Sequence, residues 1–265
     1  MTKTRELKEE ALKFGLSILH ARIRFFENIL QLSYRLTIKK WQKRTKADKE
    51  AVELRKKEIQ KRFKSEIGLL VDFPKANFGN TNDGNTSRRF FNDYEISASI
   101  TGVNINIIYR FKIILEVLSS GYNINIHEFK KYCRETEELY VELYSWYPMS
   151  PTVHKILRHG SDVILNALLS IGQLSEEAAE ARNKHLRDYR LNYSRKFSRE
   201  ACNLDVINRL LITSDPLLTG MRKPPKKKMR SFSKEALSML LPAEPMLKSC
   251  TEPGSEESSS DEEYI

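Results

Sequence analysis

Apolar residues recur at steps of three or four along most of this chain, and this spacing limits its fold most strongly. The first such run keeps one apolar face on Leu12, Leu16, Leu19, Ile23, Phe26, Leu30, Ser33 and Tyr34. The same spacing returns in residues 49–64, 92–118 and 125–144. Because such steps place side chains on one face of an α-helix, these runs predict helices. Strand-like alternation is nearly absent and no internal repeat is visible, so the chain is predicted to be mainly α.

The composition predicts a packed protein with a basic surface. The chain has 265 residues, 40% of them apolar and 30% charged, which is enough for one sizeable domain or two small ones. Its net charge of +10 favours a polyanionic partner, nucleic acid first and an anionic membrane surface second. No run of about 18 apolar residues is present and no apolar segment follows Met1, which predicts a soluble, non-secreted protein. Cys133, Cys202 and Cys250 are odd in number and far apart, which fits a reducing compartment.

Residues 153–190 combine two histidines, an apolar segment and a strongly charged helix. His154 and His159 are five residues apart, and the chain breaks at residues 171–173 before a helix predicted to start at Ser175. That helix aligns polar side chains on one face, namely Glu176, Glu180, Asn183, Lys184 and Arg187. In one interpretation, Ser175 caps an ordinary surface helix whose charges follow its macrodipole. In the other, the first carboxylate faces a divalent metal and the basic end faces a phosphate backbone.

A second polar cluster lies at residues 79–89, where Gly, Asn and Asp residues precede two arginines. In the simpler interpretation, residues 82–85 form a turn with left-handed backbone conformations, and Arg88 and Arg89 merely begin an exposed helix. In the functional interpretation, the turn offers backbone N–H groups to an anion and the arginines add forked donors. Arginines at a helix start oppose the macrodipole by about 0.3–1 kcal/mol per charge, which favours a compensating phosphate.

Both clusters resemble parts of the catalytic core of one family, the V(D)J recombination-activating recombinase and its Transib transposon relatives. The family has a His-Lys-x-Leu-x-His element, which resembles His154, Lys155, Leu157 and His159 here. It then has an Ile-Gly step, matched by Ile171 and Gly172. A Ser-Glu helix that ends in Asn-Lys-x-x-x-Arg follows, and its counterparts here are Ser175, Glu176, Glu180, Asn183, Lys184 and Arg187. Its Gly-Asn-x-Ala-Arg-Lys element is similar to residues 83–89, and its Leu-His pair to Leu19-His20. The likeness keeps this order over about residues 15–218. This chain has one more residue than the family between Ser-Glu and Asn-Lys, which leaves the register across Glu176, Glu177 and Glu180 open.

The resemblance implies a helical insertion domain and the closing helices of a ribonuclease-H-like (DDE) recombinase core, which this chain would carry only in part. In the family, two aspartates and one glutamate hold two divalent cations, Mg²⁺ or Mn²⁺, for DNA strand nicking and strand transfer. Glu176 resembles this catalytic glutamate, whereas the aspartates belong to a β-rich region without a counterpart here. Because one carboxylate cannot hold two cations, we predict that the chain alone does not cleave DNA.

The resemblance also implies a zinc site and a DNA-binding surface. His154 and His159 match two Zn²⁺ ligands, whose partners in the family are a Cys-x-x-Cys that this chain lacks. On an ideal helix, side chains five residues apart diverge by about 140°, so binding one zinc would require unwinding, which Gly160 would favour. The alternative is that both histidines cap or pack locally. The predicted DNA-binding residues are Asn85, Arg88, Arg89, Asn183, Lys184, Arg187 and Arg190.

The end of the chain loses helical spacing from Gly220 onwards. Residues 222–230 are a basic, Pro-containing cluster suited to a nuclear import receptor, residues 231–241 fit a short helix, and residues 252–263 are acidic and serine-rich. The predicted division is an N-terminal helical segment (1–70), a helical insertion region with the polar loop (71–150), a region with the histidine pair and the catalytic-type helix (151–219), and a disordered tail, basic and then acidic (220–265).

These patterns support three functional hypotheses. The favoured one is a nuclear, DNA-binding fragment or derivative of a DDE-type transposase. Its further partners under this hypothesis are an accessory recombinase protein and a second copy of the chain, with which it would form a homodimer. The alternative is a non-enzymatic helical scaffold whose basic faces bind an acidic protein. A third hypothesis, an active metal-dependent nuclease, needs carboxylates that the sequence does not supply.

Overall fold

The computed structural model describes residues 16–75, 79–174, 177–221 and 231–241. These residues are mainly helical, as predicted, and their extended pairings are two isolated bridges, Pro74 with Asn80 and Ile124 with Leu240. The helices are α1 (Ile18–Ser33), α2 (Lys46–Ile67), α3 (Gly84–Asn92), α4 (Tyr94–Thr101), α5 (Ile105–Leu118), α6 (Ile126–Tyr144), α7 (Pro151–Leu165), α8 (Glu177–Asn192), α9 (Arg199–Ser214), α10 (Pro216–Met221) and α11 (Lys234–Ser238). None of the described helices combines the length and apolar content needed to cross a lipid bilayer.

Helix α1 lies at the centre of the fold, where it packs against α3, α5 and α7. The predicted apolar face is confirmed, because Leu19, Phe26, Leu30 and Tyr34 are buried; Leu12 lies outside the described residues. Phe25, Ile29 and Leu32 are buried as well, although they lie off that face. Neighbours on several sides therefore bury more than the single stripe typical of a surface helix.

The ends of α2 are set by local side-chain chemistry. Thr45 accepts a hydrogen bond from the Asp48 N–H at 3.1 Å, and the Asp48 carboxylate accepts one from the Thr45 N–H at 3.4 Å. This reciprocal capping satisfies N–H groups that the first turn leaves unpaired. At the other end, Gly68 adopts a left-handed conformation with φ of 61°. The predicted helix over residues 49–64 is confirmed, and Val52, Ile59 and Phe63 are buried as its spacing indicates.

The prediction of one helix through residues 92–118 is wrong. Asp93 separates α3 from α4, and Gly102, with φ of 72°, ends α4 before Asn104 caps α5. The Ser97 hydroxyl donates to the Phe90 carbonyl at 2.8 Å, which ties the two short helices together. Apolar spacing alone cannot detect these corners, since it continues across them.

A buried polar contact joins α1 to α6 and to the start of α7. The Asn28 amide nitrogen donates to the Tyr140 hydroxyl, and the Asn28 carbonyl oxygen accepts from the Ser150 N–H, both at 3.1 Å. Ser150 caps α7, and Pro151 is its first residue. Proline is well accommodated at this position, because the N–H of the first helical residue has no helical partner.

Helices α8, α9 and α10 pack in sequence, α8 on α9 and α9 on α10. Arg182 of α8 donates to the Leu210 carbonyl at 2.8 Å and also to the Ser214 hydroxyl. Val206 is buried in this helix pair. The Arg182 contacts hold α8 along α9, and most side chains of residues 183–192 are exposed to solvent.

Residues 231–241, within the predicted tail, lie against the body of the protein. They contain α11, where a short helix was predicted, and α11 packs on α5. Ala236 and Met239 are almost fully buried and belong to the same hydrophobic cluster as Phe25 and Phe111. The basic residues 222–230 and the acidic residues 252–263 lie outside the described residues.

Candidate nucleic-acid interface

The polar loop before α3 is closed by its own hydrogen bonds. The Asp83 carboxylate caps the helix by accepting from the Thr86 N–H at 2.9 Å, and Lys75 donates to the same carboxylate at 3.1 Å. Partial desolvation acts against ionisation, but these hydrogen bonds outweigh it and lower the pKa of Asp83. A carboxylate therefore occupies the position where an anion was expected. The Thr86 N–H is therefore already engaged, and phosphate binding by this turn stays a prediction.

Arg88 and Arg89 do not begin a helix, because α3 starts at Gly84. Arg89 lies in the last turn of α3, where the macrodipole favours a cation, so the predicted unfavourable placement does not arise. Its guanidinium donates to the carbonyls of Ile67 and Gly68, the latter at 3.4 Å. Arg89 thus serves the C-terminal end of α2, although it was predicted to bind DNA.

Arg88 points elsewhere and lines a groove of about 880 Å³ between α1, α3 and α5. Arg22 of α1 and Lys112 of α5 line the same groove, and Ser231 and Phe232 form part of its wall. The Arg88 guanidinium donates to the exposed Asn85 at 3.4 Å. Arg22 and Lys112 were not predicted as site residues. The available signal was a pair of basic residues in each of these largely apolar segments, Arg22 and Arg24 in α1 and Arg110 and Lys112 in α5.

The histidine pair lies on an unbroken helix, so the unwinding that shared zinc binding was predicted to require is not seen. The ring centroids of His154 and His159 are 5.6 Å apart and the rings are nearly perpendicular. Gly160 does not loosen α7; it is buried where a Cβ would lie 3.4 Å from the Phe129 ring. Burial, followed by the neighbouring His154, lowers the pKa of His159.

The histidines alone do not fit a structural zinc ion. Tetrahedral Zn²⁺ takes about four nitrogen or sulfur ligands, and this pair supplies two. Among the described residues, no group of three or more His, Cys, Asp and Glu side chains is arranged to hold a metal. A complete zinc site would therefore need ligands from elsewhere.

The predicted DNA-binding residues of α8 are all exposed, namely Asn183, Lys184, Arg187 and Arg190. Arg182, on the side facing α9, is occupied by its contacts with that helix. The one carboxylate within residues 183–190 belongs to Asp188, which accepts a hydrogen bond from Asn192 at 2.7 Å. Helix α8 therefore presents a basic row to solvent over its C-terminal half.

Arg190 continues this row into a pocket of about 490 Å³ at the start of α9. Lys196 and Arg199 also line the pocket, and Ser198 caps α9 there. Arg195 is held aside by a forked contact with Asp205, at 2.8 and 3.0 Å, and this contact lowers the pKa of Asp205. Lys196 and Arg199 were not predicted, although their clustering with Arg190 and Arg195 in the sequence was a usable signal.

The structure divides the predicted site residues among separate surfaces. Arg88 lies in the α1–α3–α5 groove, whereas the basic row lies on α8 and α9. Glu176 and Ser175 lie outside the described residues, as do the side-chain surroundings of Glu180. Comparison of the chain with protein-family models gives no match, and comparison with curated proteins gives none either.

Proposed function

We propose that this chain binds DNA as a fragment or derivative of a DDE-type transposase or recombinase. The supporting observation is the exposed basic row of α8, which leads into the pocket lined by Lys196 and Arg199. Arginine and lysine contacts to phosphate supply most of the sequence-independent affinity for DNA. Of the two nearby carboxylates, Asp205 is paired with Arg195, whereas Asp188 is exposed and accepts a hydrogen bond from the neutral Asn192 amide.

The salt dependence of binding tests the proposal. Arg187→Glu/Arg190→Glu reverses two charges three residues apart on α8, and Lys131→Glu/Arg134→Glu is a matched control on the exposed face of α6. Each lost phosphate contact flattens the log–log salt slope by about 0.9, so the α8 variant should lose about 2 units. Fluorescence anisotropy with a labelled duplex measures this slope. An equal change in both variants, or no binding of the native chain at low salt, would contradict the proposal.

Under this proposal the chain does not cleave DNA by itself. The Mg²⁺ or Mn²⁺ centre that the resemblance implies needs two further carboxylates besides Glu176. Incubation of the full chain with supercoiled DNA and Mg²⁺ provides the test: nicking would contradict this statement, and equal nicking by Glu176→Gln would also show that Glu176 has no catalytic role. We further propose a nuclear location on the basis of residues 222–230, which a Lys-to-Gln replacement of that cluster would abolish in transfected cells.

A second candidate function, a helical scaffold that binds a protein partner, is favoured by one surface. The outward face of α9 carries Leu204, Ile207 and Leu211, which are 53%, 52% and 65% exposed. Their spacing puts them on one stripe away from α8, and such stripes are typical of protein interfaces. The stripe would serve an accessory protein or a second copy of the chain. Ile207→Asp/Leu211→Asp should then abolish protein binding, as followed by sedimentation, and leave the DNA salt slope unchanged.

A further inference from the structure

Residues 231–241 are attached to the body by a small set of contacts. Their fully buried anchors are Ala236 and Met239, while Phe232 and Leu240 pack against the core only in part and Tyr109 donates to Glu235 at 3.0 Å. Two backbone hydrogen bonds of 2.8 Å flank these anchors, one from the Asn125 N–H to the Met239 carbonyl and one from the Leu241 N–H to the Asn123 carbonyl. A segment with so few anchors belongs to the least stable part of a fold and opens locally more readily than the core.

Ser233 makes the main polar contact at the start of this segment. Its backbone N–H donates to one oxygen of the Glu116 carboxylate at 3.1 Å, and its hydroxyl donates to the other at 2.9 Å. The same hydroxyl oxygen accepts from the Ala236 N–H at 3.3 Å and thereby caps α11. One side chain therefore both joins the segment to α5 and starts its helix.

The sequence before Ser233 is strongly basic. Lys226, Lys227, Lys228 and Arg230 precede it, with Arg230 three residues upstream. Residues 231–233 are not helical, and Ser233 is partly exposed. A hydroxyl in an extended segment that follows basic residues has the charge pattern selected by kinases with an acidic substrate cleft.

We propose that Ser233 is a phosphorylation site and that its modification releases residues 231–241 from the body. A protein kinase transfers the γ-phosphoryl group of ATP to the Ser233 Oγ. A new O–P bond forms, the bond between the γ-phosphorus and the β,γ-bridging oxygen breaks, ADP leaves, and the hydroxyl proton goes to the kinase base.

Release follows from the chemistry of the modified side chain. The hydroxyl that donated to Glu116 becomes a phosphate carrying about −1.5 to −2 charge, directly against a carboxylate. Arg22, Arg88 and Lys112 line the same groove and would attract the phosphate, but Glu116 is the group already within hydrogen-bond distance of the modified oxygen. Lys112 is, in addition, placed over the Tyr94 ring at 4.6 Å.

Hydrogen–deuterium exchange of the full chain, before and after treatment with an Arg-directed serine kinase and MgATP, tests the proposal. Mass spectrometry locates the phosphoryl group. The N–H groups of Asn125 and Leu241 should then exchange about ten- to a hundredfold faster, the change expected when a hydrogen bond to a charged group is lost. Ser231→Glu is the matched control: Ser231 is exposed and lines the same groove, and its replacement should leave both rates unchanged.

Glu116→Gln separates like-charge repulsion from loss of the cap. In this variant, which has a neutral amide beside the phosphate, phosphorylation of Ser233 should accelerate exchange much less than in the native chain. The proposal is overturned if Ser233 accepts no phosphoryl group either in the native chain or in Glu116→Gln. It is also overturned if modified Ser233 leaves the two amides equally or better protected. DNA is absent from this experiment, so its result does not depend on the proposed function.

Discussion

The guanidinium group of Arg89 donates to the backbone carbonyl of Ile67, so an arginine of α3 closes the C-terminal end of α2. The last carbonyls of a helix have no partner within the helix, and a cation is favoured beside them. Arg89→Ala should therefore lower the free energy of unfolding by about 1 kcal/mol. Urea unfolding followed by circular dichroism measures this loss. Arg88→Ala, on the neighbouring residue, should stay within about 0.5 kcal/mol of the native chain; equal losses would contradict the assigned role.

A second prediction concerns the buried contact of Asn28. Asn28→Ala leaves the Ser150 N–H without its acceptor and the Tyr140 hydroxyl without its donor. Unsatisfied buried polar groups are costly, and we expect a loss of about 2–4 kcal/mol in the free energy of unfolding. Tyr140→Phe removes one of these contacts and should cost less, about 1–2 kcal/mol. Thermal and urea unfolding of both variants checks the order, and a larger loss in Tyr140→Phe would count against it.

The pKa of His159 predicts a pH dependence of stability. Because its folded-state pKa lies below the usual 6.5, the unfolded chain binds the proton more tightly than the folded one. This contribution to stability is fully present above pH 6.5 and is lost as the pH falls through the folded-state pKa. Urea unfolding at several pH values should show a shallower decline below pH 6.5 in His159→Gln than in the native chain. His127→Gln, which removes a highly exposed imidazole, should keep the native decline.

The turn before α8 supplies a fourth prediction. Gly172 lies so close to the backbone of Gly121 that a Cβ would stand 2.7 Å from the Gly121 Cα. Gly172→Ala forces one of these backbones to move and should destabilise the protein by about 1–3 kcal/mol. Gly220→Ala is the control, because nothing lies within 4 Å of its Cβ position. A melting temperature for Gly172→Ala at or above that of Gly220→Ala would refute the close approach.

Local signals in the sequence predicted the parts of the fold that depend on neighbouring residues. The spacing of Val52, Ile59 and Phe63 located α2, and Asn125 was predicted to begin the helix that it caps. The corner at Gly102 could not be predicted from apolar spacing, because apolar residues continue through it. The spacing of apolar residues describes one helix at a time, whereas a corner between helices depends on how those helices pack together.

The candidate site was predictable to a smaller extent. Lys184, Arg187 and Arg190 share an exposed surface as their spacing indicated. Arg89 was assigned to DNA because its sequence position does not show that the end of α2 lies beside it. The groove residues Arg22 and Lys112 are 90 positions apart, so only tertiary packing brings them together.

The return of residues 231–241 to α5 determines where this protein can be shortened. The composition of the chain beyond residue 221 suggests a cut there, before the basic cluster. Such a cut would remove Ala236 and Met239 from the interior and uncover Ile124, which pairs with Leu240. Any truncated version intended for purification should therefore end after residue 241, because the earlier cut would expose an apolar surface that promotes aggregation.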